Sequence, residues 1–408
     1  MDLFVGIDVS SEKLDVCFLD SKKHILNESS LGNSIVGASL IKDSILLYQQ
    51  QYNYDQVTVG LESTSVYSFH PSMFLHEDEE LKALDIIVSV INPKKVHRFK
   101  QMFDEDKTDR IDAFRIADFL RIDVHQTSLI KQEKYVALQR LTRSRYQVTK
   151  QLVECKQHFL ENLYYKCNTL TKEVSTSVFG STMLELFTND ITLDELSKIP
   201  LEDFVSHLQK AGKGRFTNTE KLVKSIQKAI RESYRLTPMV SESVDQILSM
   251  YAQLIRTLTK QIKTLDKGIE QVVKTMPEAQ LLLSIPGIGP VYTAGILAEV
   301  GQIHRFTNEA KLAKYAGLYW NKNQSGNFTA SNTSLAKTGN HILRYYLIEA
   351  TNSVRRYVPT FSNYYSKKTK EVPKHKHKRA LVLTARKFMR LVDTLLRNHQ
   401  IYTPERSV

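Results

Sequence analysis

Residues 106–113 read DKTDRIDA and place two carboxylates, Asp109 and Asp112, one helical turn apart at the predicted start of a helix. Thr108 or Asp109 can act as the N-cap, and apolar residues recur with helical spacing over 113–120. Two acids at this spacing either bind a divalent metal ion or occupy a helix N-terminus, where the helix dipole favours negative charge. Acids in upstream strands favour the first interpretation.

The first of these strands, LFVGIDV at residues 3–9, has the apolar composition of a buried strand but carries Asp8. Glu62 directly follows another predicted strand at 57–61. An unpaired buried carboxylate is costly, so such a group must pair, protonate or coordinate a cation. Carboxylate oxygens suit Mg²⁺ or Mn²⁺, and a pair of such ions about 3.5 to 4 Å apart can stabilise the attacking and leaving oxygens of a phosphoryl transfer. We therefore predict a metal site formed by Asp8, Glu62, Asp109 and Asp112. The alternative for each acid is a capped turn or a surface charge.

The order of elements over the first 120 residues predicts an α/β domain. Strands are predicted at 3–9, 13–19, 24–27, 57–61 and 84–91, with a helix at 35–47 and another beginning near 109. This is the order of the RNase H-like fold, in which acids at the ends of adjacent central strands meet acids from a later helix. Actin-like ATPases and sugar kinases also begin with Gly-Ile-Asp, but they need a Gly-rich phosphate loop, and the first 130 residues contain none.

Composition indicates a polyanionic partner. The chain has 408 residues, with 56 Lys and Arg against 44 Asp and Glu, and therefore a net charge of +12. This charge favours nucleic acid as a partner, although a membrane surface would also attract a basic protein. The sequence has no apolar run of about 18 residues and no signal-peptide layout, and its three cysteines form no CxxC pair. We expect a soluble, intracellular protein with no membrane partner.

The middle of the chain predicts two long helices with heptad spacing. Their apolar series are Leu138, Leu141, Val148, Leu152, Cys155 and Phe159, then Val244, Ile247, Tyr251, Leu254, Leu258, Leu265 and Val272. These helices would form a coiled coil with each other or with a second subunit, and a pair of ordinary bundle helices is the alternative. The helical insert between them, 168–237, carries no catalytic motif.

The segment 281–290, LLLSIPGIGP, resembles a helix-hairpin-helix. Its turn, with Gly287 and Gly289, would expose backbone N–H groups at a helix N-terminus, where a DNA phosphate can bind without regard to sequence. A plain αα-hairpin could use the same glycines.

The last part of the chain is strongly basic. Residues 367–390 contain ten Lys or Arg and one acid, and we predict phosphate binding by Lys374, Lys376, Lys378 and Arg379. Alternating histidines also suggest a metal site, but lysine dominates and no cysteine joins them. A solvated basic helix is the alternative.

Together, these motifs make nearly the whole chain resemble the insertion sequence 110 family of transposases, described as bridge-RNA-guided recombinases. The matching motifs are Gly6-Ile7-Asp8-Val9, Gly60-Leu61-Glu62-Ser63-Thr64, Lys107-Thr108-Asp109, Asp112-Ala113, Pro286-Gly287-Ile288-Gly289, Ala316-Gly317-Leu318, Gln324-Ser325-Gly326, Lys337-Thr338-Gly339-Asn340 and Leu343-Arg344. The resemblance implies a RuvC-like domain at 1–127, a coiled-coil region at 128–275 with its insert at 168–237, a mostly helical transposase domain at 276–365, and a basic helix or tail at 366–408.

The resemblance also implies the chemistry. The four acids match the DEDD metal site of the family, and Ser325 matches its catalytic serine, whose hydroxyl attacks a DNA phosphodiester to form a phosphoserine link and release a sugar hydroxyl. Serine is a weak nucleophile that needs activation, which Mg²⁺ can supply. From spacing alone Ser325 is an ordinary loop serine, and Ser331 and Ser334 are rivals. The segment 319–321, Tyr-Trp-Asn, departs from the proline-containing segment of many relatives.

The implied partners are donor and target DNA, a bridge RNA, and further copies of the chain, from dimer to tetramer, with composite sites. We also predict nucleic-acid binding by Lys337, Asn340 and Arg344. The resemblance places the protein in the bacterial cytoplasm, at the nucleoid when bound to DNA.

No RNA-binding fingerprint appears in the sequence, so the prediction of a bridge RNA rests on the resemblance alone. The alternatives are a RuvC-like structure-specific nuclease in which water attacks, and a non-catalytic nucleic-acid-binding protein.

Overall fold

The computed structural model describes residues 1–63, 66–103, 108–122, 132–188, 192–212, 218–320, 324–325, 328–329, 334–336 and 338–404. The chain forms two compact units, Met1–Gln132 and Glu133–Val408. The first is mixed α/β and the second is mostly helical, as predicted. Among the described residues, no helix has both the length and the apolar character needed to cross a membrane.

The first unit is built on a five-stranded sheet. Its strands are β1 (Asp2–Val9), β2 (Lys13–Asp20), β3 (Ile25–Gly32), β4 (Gln56–Glu62) and β5 (Ile87–Ile91). Its helices are α1 (Ile35–Tyr52), α2 (Phe69–Glu77), α3 (Glu79–Ala83), α4 (Pro93–Lys100) and α5 (Asp109–Ile122). The sheet order is β3-β2-β1-β4-β5, with β1 antiparallel to β2 and parallel to β4, and β4 parallel to β5. The five predicted strands are confirmed.

Side chains of β1 alternate between two cores. Leu3, Val5 and Ile7 belong to a core that also contains residues of α1, whereas Phe4 packs in a second core with residues of α5. Gly6 lies on this second face, and a Cβ there would lie 2.2 Å from the backbone oxygen of Ala113. The glycine therefore allows the backbone of α5 to rest directly on the strand.

The second unit is organised around two long helices. They are α6 (Glu133–Lys166) and α12 (Pro238–Lys274). Between them lie α7 (Leu170–Glu173), α8 (Ser181–Glu185), α9 (Leu193–Leu196), α10 (Leu201–Gly212) and α11 (Thr219–Glu232). They are followed by α13 (Pro277–Leu283), α14 (Pro290–Val300), a 3₁₀ turn (Ile303–Arg305), α15 (Glu309–Ala316), β6 (Gln324–Ser325), β7 (Phe328–Thr329), α16 (His341–Val354), α17 (Pro359–Glu371) and α18 (Lys376–Asn398).

The two long helices pack against each other in an antiparallel arrangement, with a core at each end. At one end Leu138 of α6 and Ile269 of α12 share a core with α13 to α18. At the other end Phe159 of α6 and Leu248 of α12 share a core with the helical insert. Each long helix therefore contributes to both cores, and the predicted boundary near 275 does not separate two independent cores.

Part of the predicted heptad series of α12 is not covered by the rest of the chain. Ile247 is 37% exposed and Leu254 is 41% exposed, although both belong to the predicted series. The buried positions of α12 are Val244, which belongs to the predicted series, and Leu248, Ala252, Ile255, Ile269 and Val273, which do not. Because apolar residues occupy two adjacent stripes of this helix, spacing alone does not say which stripe meets the partner helix.

The basic C-terminal region is not a separate tail. In α18, Ala385, Phe388, Met389 and Val392 are buried in the same core as the helices of the predicted transposase domain. The predicted boundary at 365 therefore cuts through one packed structure. Lys376, Lys378 and Arg379 lie in the first turn of α18, and Arg386, Lys387 and Arg390 lie further along the same helix.

Candidate active site

The acids of the first unit are positioned by the ends of two parallel strands and the start of one helix. β1 and β4 pair with Gly6 beside Gly60, so Asp8 and Glu62 follow at the same edge of the sheet. Both lie on the face covered by α5, because side chains alternate along each strand. The hydroxyl oxygen of Thr108 accepts a hydrogen bond from the Ile111 N–H at 3.3 Å, which makes Thr108 the N-cap of α5.

This arrangement brings the four predicted acids into one electrostatic cluster. The pKa of Asp8 is raised to about 6: burial is the largest cause, Lys100 lowers the pKa by attraction, and the carboxylates of Asp112, Glu62 and Asp109 raise it. Asp112 is buried, Glu62 is half-buried and Asp109 is exposed. We refer to these four acids as the acidic cluster.

A lysine already contacts the acidic cluster. The Lys100 ammonium, from the last turn of α4, lies 2.9 Å from Asp112 Oδ1 and 3.4 Å from Glu62 Oε2. Carboxylate oxygens are also the ligands that Mg²⁺ and Mn²⁺ prefer, so the donor set fits such an ion in its chemistry. Within the described ranges, however, no three His, Cys, Asp or Glu side chains are arranged to hold a metal ion.

Sequence reasoning missed two residues of this face. Asp15 of β2 pairs with Asp8 across the strands and is buried, so a fifth acid borders the cluster. The sequence alone could have indicated Asp15, because it is an acid within a strand of alternating apolar residues. Lys100 gave no such signal, because only the packing of α4 against α5 brings it near Asp112.

In the second unit, Ser325 lies on β6, which pairs with β7 through Ser325 and Phe328. The Ala336 N–H donates to the Tyr319 carbonyl at 2.9 Å, and Trp320 forms an antiparallel bridge with Leu335. The chain therefore leaves and re-enters the helical core as a pair of antiparallel segments. We call the described residues 318–320, 324–325, 328–329 and 334–336 the serine hairpin. The rival serine Ser331 lies outside the described residues, and Ser334 is exposed.

Two glycines close the base of the serine hairpin. Gly317 and Gly339 both have positive φ, of 68° and 102°. A Cβ on Gly339 would lie 2.8 Å from the Gly317 nitrogen, and a Cβ on Gly317 would lie 2.3 Å from the Thr338 carbonyl oxygen. Close backbone contact at the base therefore requires glycine at both positions.

A buried carboxylate anchors the same base. Glu299, at the end of α14, is 0% exposed and receives two hydrogen bonds from Arg143 at 2.8 and 3.0 Å. Asn340 donates to Glu299 Oε2 at 2.6 Å, and its side-chain oxygen accepts the Ile342 and Leu343 N–H groups as the N-cap of α16. Sequence reasoning did not select Glu299, although an acid inside the apolar helix PVYTAGILAEV is the same signal that selected Asp8.

The structure therefore gives structural roles to two residues that we predicted to bind nucleic acid. Asn340 is engaged by Glu299 and α16, and the Arg344 guanidinium lies 3.4 to 3.5 Å from the carbonyl oxygens of Ala316, Gly317 and Thr338. Binding of nucleic acid by either residue stays a prediction. Lys337 lies outside the described residues.

The remaining predicted nucleic-acid-binding residues fall in two places. Gly289 is the N-cap of α14, with open space where its Cβ would lie, whereas Gly287 has a φ of 90° and a Cβ there would meet the Tyr357 ring. The four basic residues of the C-terminal region are all exposed: Lys374, Lys376, Lys378 and Arg379. Their binding of nucleic acid stays a prediction.

Comparison with protein families connects both units to one group of enzymes. Residues 5–165 match the DEDD transposase domain of IS110, described as a transposase. Residues 279–366 match the family described as "Transposase IS116/IS110/IS902 family". Together the two matches cover more than half of the chain, and they include the acidic cluster and Ser325.

Individual relatives agree with these matches. The mini-circle transposase of IS117 from Streptomyces coelicolor is 24% identical over 327 residues, 78% of this chain and 76% of the relative. The transposase of IS1111A from Coxiella burnetii is 27% identical over 42% of this chain and 46% of the relative. The pilin gene-inverting protein of Moraxella bovis is 31% identical over 28% of this chain and 38% of the relative.

Proposed function

Because the chain belongs to the IS110 family of transposases and is therefore a DNA transposase, we propose that it cuts and rejoins DNA through a phosphoserine formed on Ser325. The name of the Moraxella bovis relative, a gene-inverting protein, supports recombination as the broader activity. The substrates in this proposal are donor and target DNA, to which the net charge of +12 is suited.

One observation supports the proposal: the four acids lie at the ends of two parallel strands and in the first turn of α5, and Asp8 interacts electrostatically with the other three. We infer an RNase H-like, RuvC-like fold for this unit, because its strand order places acids at the ends of adjacent central strands. Asp8, Glu62, Asp109 and Asp112 would hold Mg²⁺, with Mn²⁺ as a substitute. When bound, the ion would supply charge stabilisation and a lowered pKa for an attacking hydroxyl.

The serine hairpin would present the nucleophile. Ser325 Oγ forms a bond to the DNA phosphorus, the bond from phosphorus to a sugar oxygen breaks, and that oxygen leaves as a sugar hydroxyl. The released hydroxyl then attacks a second phosphoserine and restores the serine. The glycines at the base of the hairpin and the Glu299 anchor would hold this segment in a fixed register on the helical core.

We further propose a bridge RNA and an oligomer between dimer and tetramer as parts of the working enzyme. The exposed apolar residues Ile247 and Leu254 of α12 support a contact with another copy, because the partner helix α6 covers a different stripe. We infer that this contact extends the pair of long helices as a coiled coil. The exposed basic residues at 374–379 support binding to a nucleic-acid backbone.

The test is a search for a covalent adduct. Purified protein, the RNA of its flanking element, and labelled donor and target DNA are incubated with Mg²⁺ and separated by denaturing electrophoresis. We expect a protein–DNA adduct that is lost in Ser325→Ala and in Asp8→Ala, while Ser334→Ala, the matched control in the same hairpin, retains it. Cleavage without an adduct, unaffected by Ser325→Ala, would indicate a metal-dependent nuclease in which water attacks. No cleavage at all would favour a non-catalytic binding protein.

A further inference from the structure

Lys100 occupies a position that a divalent cation would compete for. Its ammonium contacts Asp112 and Glu62 at once, and it lowers the pKa of Asp8 by attraction. The Lys100 side chain is 22% exposed, so this charge is mostly removed from water. The ammonium therefore neutralises part of the acidic cluster from within the protein.

We propose that Lys100 is a built-in counter-ion that excludes the divalent metal from the acidic cluster until a DNA phosphate draws the lysine away. This inference rests on the metal site of the proposed function and adds a coupling between DNA binding and metal binding. It assigns to Lys100 a regulatory role, distinct from that of the four acids.

Electrostatics require the competition. Asp112 Oδ1 and Glu62 Oε2 cannot bind the ammonium and a small dication at full strength together, because the two cations would repel each other at short distance. A lysine is suited to this exchange, since its compact charge sits on a flexible stem that can move between carboxylate and phosphate partners. With four acids and one ammonium, the cluster keeps a net negative charge and still attracts a metal once the lysine leaves.

The surroundings of Lys100 favour DNA as the agent that moves it. α4 also carries Lys94, His97 and Arg98, all exposed, and buries only Val96. The solvent side of the helix is therefore basic, and a DNA backbone bound there would bring phosphates to the helix whose last turn holds Lys100.

The experiment measures Mn²⁺ binding by electron paramagnetic resonance, without and with a short DNA duplex. Lys100→Met removes the charge at similar length, and Lys94→Met removes an exposed charge from the same helix as the matched control. We expect Lys100→Met to bind Mn²⁺ about tenfold more tightly than the natural protein in the absence of DNA, a difference of about 1.4 kcal/mol. Lys94→Met should bind as the natural protein does.

A second arm does not depend on any lysine variant being folded. The duplex should tighten Mn²⁺ binding to the natural protein, with Mn²⁺ held by DNA and by other sites subtracted by a parallel titration of Asp8→Asn. Equal affinity of Lys100→Met and the natural protein, or no effect of DNA, would overturn the counter-ion role while leaving the metal site in place. If Asp8→Asn binds Mn²⁺ as tightly as the natural protein and the two lysine variants do, the acidic cluster is not a metal site and the proposed function loses its metal.

Discussion

Asn340 shows how one side chain can serve two structural purposes. Its oxygen caps α16 and its nitrogen donates to the buried Glu299. We expect Asn340→Ala to lower stability by about 2 to 3 kcal/mol, from the lost cap and a lost hydrogen bond to a charged group. Urea unfolding followed by circular dichroism measures the shift of the transition.

The matched control for this prediction is Asn308. It caps α15 by accepting the Lys311 N–H at 3.1 Å, and within the described part of the chain its side chain makes no hydrogen bond to a buried acid. Asn308→Ala should therefore cost only about 1 kcal/mol, the value of the cap. Equal losses in the two variants would mean that the bond from Asn340 to Glu299 contributes nothing.

At the residue scale, sequence reasoning worked where an acid stood in an apolar context. Asp8 was selected for that reason, and the structure places it in the acidic cluster. Glu299 carries the same signal, yet its partners Arg143 and Asn340 come from distant parts of the chain. Spacing cannot distinguish an acid that meets other acids from one that meets an arginine.

At the scale of elements, the packing of α5 on β1 depends on Gly6. A Cβ there would lie 2.2 Å from the Ala113 oxygen and 2.4 Å from the Ala117 nitrogen, and both are backbone atoms that cannot rotate away. We expect Gly6→Ala to displace α5, at a cost of about 1 to 3 kcal/mol or more. Thermal unfolding of the first unit measures the loss.

Gly268 provides the matched control for Gly6. It lies inside α12, and a Cβ there would meet only Leu141, at an ordinary contact distance of 3.9 Å. Gly268→Ala should raise stability by up to about 1 kcal/mol, because alanine favours the helix. If Gly6→Ala is as well tolerated as Gly268→Ala, the close contact of α5 with β1 does not constrain the acids of that helix.

The elements themselves were largely predictable, and their partners were not. Alternation and apolar runs located all five strands of the sheet, because burial on each face imposes a period of two. Spacing did not show that α6 covers the stripe with Leu248 and leaves Ile247 and Leu254 exposed, because two apolar stripes run side by side on α12. The basic residues of α18 concealed a buried stripe that includes Phe388, so a helix of the core was predicted as a separate basic helix or tail.

At the scale of the whole molecule, the proposed nucleophile and the proposed metal ligands belong to different compact units. Ser325 lies in Glu133–Val408 and the acidic cluster in Met1–Gln132. We therefore predict a composite site, with the serine from one copy of the chain and the acids from another. Mixed assemblies of Ser325→Ala and Asp8→Ala copies, isolated through two different affinity tags, test this arrangement.

In a symmetric dimer with composite sites, each mixed assembly has one site that combines an intact serine with intact acids and one site that lacks both. We therefore expect adduct formation to return to about half of the natural level. The double variant Ser325→Ala, Asp8→Ala, mixed with Ser325→Ala, is the control and should give no adduct, because neither copy offers a serine. If the mixed single variants stay inactive while each still binds DNA, the serine and the acids must act within one chain.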